Sequence, residues 1–128
     1  VQLPGQRPTL VLLPGLLNTR AVFEPLIAEL GSAVNVVVPE LYDCESIGSM
    51  AEASLGLAPE RFALAGFSMG GYVAFEMLRR APQRIERLAL IDTQASPDPP
   101  ETTARRRAFV DQTKIGRFQG VTKTLMPN

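Results

Sequence analysis

The stretch Gly66-Phe67-Ser68-Met69-Gly70-Gly71 constrains this chain more than any other. An apolar run, Phe62-Ala63-Leu64-Ala65, comes before it, and Tyr72 through Arg80 follows with helical spacing. A strand must therefore turn into a helix within a few residues, with one serine at the bend. Only small residues fit beside that serine. Gly66 and Gly70 supply the room, since a side chain at either place would collide with neighbouring backbone. The bend holds a hydroxyl out at the carboxyl end of a strand, in front of a helix N-terminus, where developing negative charge is stabilised.

The rest of the chain repeats the same alternation. Thr9 to Leu13 is an unbroken apolar run ended by Pro14-Gly15, the pattern of a strand buried on both faces of a parallel sheet. Phe23, Leu26, Ile27 and Leu30 fall at helical spacing with Gly31 as a stop. Pro25 requires the helix to begin near Ala21 or Val22. Val34 to Val38 reads as a second strand. In the connection from Glu40 to Glu60, Ser49-Met50-Ala51-Glu52 can cap a short helix ending near Gly56. Arg61 to Ala65 is the third strand, and Leu88 to Ile91 the fourth. On the helix between them, Gly70, Val73, Ala74, Met77 and Ala81 share one face, opposite Glu76, Arg79, Arg80 and Gln83. Strands alternating with helices indicate an α/β fold with a parallel sheet and right-handed crossovers.

After Asp92 the character changes. Ser96 to Glu101 reads as a linker into a helix, with Asp98 as cap, Pro99 in the first turn and Glu101 reaching back. A helix over Thr102 to about Lys114 and another over Phe118 to Leu125 are expected. This divides the chain into a core, residues 1–96, and a helical segment, residues 97–128.

Composition narrows the partners. Thirteen basic and 13 acidic side chains cancel, which gives no reason to expect nucleic acid or an anionic membrane. No apolar run is long enough for a membrane span, no signal-peptide pattern opens the sequence, and the single cysteine, Cys44, fits a reducing compartment. A cytoplasmic protein is the expectation. No metal cluster and no dinucleotide fingerprint stand out, so no cofactor is implied. The 128 residues contain no histidine.

Pro14-Gly15-Leu16-Leu17 after one strand, Gly66 to Gly71 after another, and Leu90-Ile91-Asp92-Thr93 at the end of a third together resemble the α/β-hydrolase superfamily, in particular its serine esterases and lipases. The resemblance implies a three-layer α/β sandwich, incomplete at about four strands, with the segment from Asp98 similar to the start of a helical cap. It implies that Ser68 is the nucleophile on an elbow built by Gly66, Gly70 and Gly71. The backbone N–H groups of Leu16 and Met69 would form the oxyanion hole, although Pro14 stands where members usually have histidine. Leu17 and Phe67 would line an apolar pocket for a small acyl substrate, a carboxylic ester or a related compound. Thioester, lactone, carbon–carbon-bond and peptide substrates fit the same machinery. In the superfamily the acid and the histidine follow later strands, so the chain is similar to the N-terminal half of such an enzyme.

Each residue also has a plainer reading. Ser68 without a base is a weak nucleophile, and this chain alone should lack most of the acyl-transfer rate. Asp92 is either the triad acid, as in some members, or a strand-end aspartate in a turn. A non-catalytic, hydrolase-like binding module is the alternative function. Finally, Leu88 to Ile91 would form an apolar sheet edge. Such an edge invites pairing with a second copy or cover from residues 97–128.

Overall fold

The computed structural model describes residues 6–114. Four strands form one sheet: β1 (Thr9–Leu13), β2 (Asn35–Val37), β3 (Phe62–Phe67) and β4 (Ile85–Ile91). All neighbours are parallel, in the order β2-β1-β3-β4. The chain lays down β1, steps outward to β2, then returns past β1 to place β3 and β4. Among the described residues four α-helices join or follow the strands: α1 (Glu24–Leu30), α2 (Ile47–Leu57), α3 (Met69–Arg80) and α4 (Pro100–Lys114).

The alternation of side chains along β1 and β3 sorts the core into two layers. Val11, Leu13, Phe62 and Leu64 face α2 and α3, packing with Ala51, Val73, Ala74 and Met77. Leu12 and Ala65 face the other way, against Phe23 and Ile27. Helices thus cover both faces of the central strands, which explains why β1 is apolar without a break. Val11, Leu12 and Leu13 have no accessible surface. Burial of each stabilises the fold by about 1.5–3 kcal/mol. The stripe Gly70, Val73, Ala74, Met77 and Ala81 is buried, as its spacing predicts.

Several boundaries differ from the sequence expectation. The first helix opens as a 3₁₀ turn over Arg20–Phe23, capped by Thr19, before α1 begins at Glu24. Pro25 still falls in the first turn of α1, and Gly31 ends it with φ 56°. α2 starts three residues earlier than expected. Its cap is Ser46, whose hydroxyl accepts from the Ser49 N–H at 3.0 Å while Ser49 Oγ accepts from the Ser46 N–H at 3.1 Å. Ser49, expected as the cap, is the third helical residue of that reciprocal pair. β4 begins at Ile85 rather than Leu88, because an edge strand tolerates the charged Glu86 and Arg87.

Contacts divide the chain into two units, Val1–Ala95 and Ser96–Asn128. In the second, α4 begins at Pro100 and the Thr103 N–H donates to the Pro99 carbonyl. Asp98 does not serve as the expected cap. Its carboxylate lies 2.9 Å from Arg106 in an ion pair. The helix expected over Phe118 to Leu125 lies outside the described residues. Among the described residues no helix is long and apolar enough to cross a membrane.

Candidate active site

The order β2-β1-β3-β4 reverses direction between β1 and β3. Connections leaving these two strands go to opposite faces of the sheet, opening a crevice at their carboxyl ends. The turn after β1 carries Gly15, Leu16 and Leu17; the turn after β3 carries Ser68. The two meet. A Cβ placed on Gly15 would lie 3.3 Å from Ser68 Cβ and 3.4 Å from the Phe67 ring.

Ser68 stands between the last residue of β3 and the first of α3, with φ 53° and ψ −116°. An L-residue rarely adopts a positive φ, and holding it there costs about 1–3 kcal/mol. Surrounding contacts enforce the conformation. A Cβ on Gly66 would come within 2.5 Å of the Gly70 carbonyl oxygen, and one on Gly70 would strike the Leu13 carbonyl. Only glycine at these places lets α3 start directly against the ends of β1 and β3. The Met69 N–H is then the first amide of α3 and has no acceptor within its own helix.

The turn after β1 is tight as well. The Asn18 N–H donates to the Gly15 carbonyl at 3.1 Å, and Leu17, at the third position, has φ 60°. Leu16 and Leu17 are exposed on this rim. Phe67, expected in the pocket, packs edge-to-face on Phe23 with ring centroids 6.4 Å apart. Its ring helps fill the core layer under α1.

The turn after β4 reaches the same place. Ser68 N–H donates to the Ile91 carbonyl at 3.0 Å, and Thr93 Oγ1 donates to the Ser68 carbonyl at 2.8 Å. Between them Asp92 is exposed with φ 47°. Among the described residues, the non-glycine positions with positive φ are Leu17, Ser68 and Asp92. Each follows the carboxyl end of one of three adjacent strands. The role of Thr93 was not visible in the sequence, because it acts on a residue 25 positions away.

Charge is arranged elsewhere. On α3, Arg79 and then Arg80 hydrogen-bond Glu76 and hold its carboxyl down to about 2. Beyond β2, the Glu40 carboxylate accepts from the Tyr42 hydroxyl and raises that phenol's pKa. Among the described residues no group of acidic, cysteine or histidine side chains could hold a metal ion.

The family model for the alpha/beta hydrolase fold matches residues 49–122, taking in most of α2 and then β3, the glycine-flanked serine, α3 and β4. The chain belongs to that family. Over 99 residues it is 27% identical to a pimeloyl-[acyl-carrier protein] methyl ester esterase of Nitrosomonas europaea, covering 71% of this chain and 39% of that protein. A thermophilic esterase from Thermogutta terrifontis superposes with a TM-score of 0.74 at 27% identity, over 95% of this chain and 50% of its own. The 2-hydroxy-6-oxo-6-phenylhexa-2,4-dienoate hydrolase of Rhodococcus sp. strain RHA1 superposes with a TM-score of 0.65 at 26% identity, over 91% and 50%. The chain thus spans half or less of the length of these hydrolase-fold relatives.

Proposed function

We propose that Ser68 is the nucleophile of a serine hydrolase acting on carboxylic esters or related acyl compounds. The backbone N–H groups of Leu16 and Met69 hold the oxyanion, and a histidine outside these 128 residues serves as base. The observation that carries this reading is the positive φ of Ser68 at the start of α3, beside the turn that follows β1. A serine with only a packing role has no need of that strain. Two of the relatives named above are esterases, which favours ester substrates.

In the proposed reaction Ser68 Oγ bonds to the acyl carbon while its proton passes to the imidazole. The carbonyl oxygen becomes anionic between the two amides, in front of the N-terminus of α3. Collapse expels the alcohol, which takes the proton from the imidazolium. Water then repeats the sequence on the acyl-enzyme and restores the serine. Asp92, placed between two residues that bond the Ser68 backbone, is the candidate acid within the chain. Leu17 and the apolar rim would receive the acyl group.

If these 128 residues act by themselves, their lack of histidine favours one other reading, a non-catalytic module of the same fold. Treatment with a fluorophosphonate separates the two. Phosphonylation forms the Oγ–P bond, releases fluoride and passes the hydroxyl proton to a base. On the hydrolase reading the folded chain acquires one adduct at Ser68, slowly alone and faster with added imidazole, and Ser68→Ala abolishes it. No adduct even with added imidazole, or labelling spread equally over the exposed Ser32, Ser46 and Ser96, would leave the module.

A further inference from the structure

We propose that Thr93 is a positioning residue that aims the Met69 oxyanion donor, an inference that rests on Ser68 being the nucleophile. The Ser68 carbonyl and the Met69 N–H belong to one peptide group, which is planar and rigid, so the two point in opposite directions from one plate. Fixing the oxygen therefore fixes the direction of the N–H. Two donors hold that oxygen: Thr93 Oγ1 at 2.8 Å and the Gly71 N–H at 2.9 Å. The Gly71 bond closes the first turn of α3 and moves with that helix. The Thr93 bond comes from the turn after β4, so it ties the plate to the sheet.

The surroundings of Thr93 are built around this contact. Ser68 N–H, at the other end of the same residue, is held by the Ile91 carbonyl at 3.0 Å. Both main-chain groups of the strained serine are thus anchored to one turn. Asp92 takes φ 47° in that turn, between the two residues that make the bonds. Gly71 leaves the space that the threonine fills: a Cβ there would strike Thr93 Oγ1 and approach Cγ2 within 2.6 Å. A hydrogen bond to a carbonyl also polarises its peptide group, making the N–H on the far side a better donor. Thr93 thereby acts on the oxyanion without touching it.

The test compares Thr93→Val, which keeps the shape and deletes the hydroxyl, with Thr93→Ser, which keeps the hydroxyl and deletes the methyl. The readout is the rate of fluorophosphonate labelling at Ser68, at a temperature where circular dichroism shows each variant folded. Loss of one hydrogen bond should slow Thr93→Val about threefold to tenfold, with Thr93→Ser within about twofold of the parent. An unchanged rate in Thr93→Val, or an equal loss in Thr93→Ser, would overturn the proposal, since a packing role depends on the methyl. If the valine variant does not fold, Thr93→Ala set against Thr93→Ser carries the same comparison. Failure of the parent chain to label at all would count against the nucleophile reading instead. In that event a crystal structure of Thr93→Val decides: a Ser68–Met69 peptide in its parent orientation refutes the positioning role, and a rotated one supports it.

Discussion

At the carboxyl ends of β1, β3 and β4 the backbone is strained and closely packed; at the amino ends of the same strands it is relaxed and charged. The carboxyl ends carry Leu17, Ser68 and Asp92 at positive φ, with Gly66 and Gly70 in backbone contact. The amino ends border a depression of about 380 Å³ lined by Arg7, Thr9, Asn35, Glu60, Arg61 and Glu86. There the interactions are ordinary. Arg61 pairs with Glu86 at 2.9 Å, and Arg84 donates to the carbonyls of Leu55, Ala58 and Pro59. That hollow is therefore not where the backbone is held against its preference. Backbone strain that neighbouring contacts over-determine tends to cluster at functional sites.

Substitutions can break this comparison. The largest effect is expected for Gly70→Ala, whose methyl would meet the Leu13 carbonyl, a backbone atom at the end of a fully buried strand. A loss of about 3 kcal/mol in denaturant unfolding is expected. A variant as stable as the parent would show that α3 is free to slide off β1.

An intermediate effect, of opposite sign, is expected for Ser68→Gly. Glycine adopts a positive φ without penalty, so unfolding should require about 1 kcal/mol more. A loss of stability would mean that the bend is not strained. The smallest effect belongs to the amino end. A double-mutant cycle with Arg61→Ala and Glu86→Ala should give a coupling of about 0.5 kcal/mol or less, because the pair is partly exposed to solvent. A coupling of several kcal/mol would erase the distinction between the two ends.

Much of the fold could be read in the residues. The unbroken apolar run at Thr9–Leu13 announced a doubly covered strand, and the stripe on α3 announced which face meets the sheet. Those signals are local and periodic. The cap of α2 was misplaced because Ser46 and Ser49 each satisfy a capping pattern, and only the backbone shows which one precedes the helix. β4 exposes a different limit. Leu88, Leu90 and Ile91 are as apolar as β3 but are 38%, 42% and 41% exposed, since among the described residues β4 has a neighbour on one side only. Composition tells what a strand is suited to, not what lies beside it.

The site divides in the same way. Gly66, Ser68 and Gly70 announced the bend, since each constraint acts within a few residues. The hydroxyl of Thr93 and the nearness of Gly15 to Ser68 depend on three strands ending together, which no local spacing records. Phe67 could be placed beside the serine from its position in the chain. That its ring turns toward Phe23 was decided by the alternation of side chains along β3.

The most direct measurement is a crystal structure of the chain carrying a phosphonyl group on Ser68. With the oxyanion hole as proposed, the phosphoryl oxygen should lie about 2.7–3.1 Å from the backbone nitrogens of both Leu16 and Met69, with Ser68 still at positive φ. A phosphoryl oxygen turned to solvent, with either amide directed away from it, would contradict that arrangement.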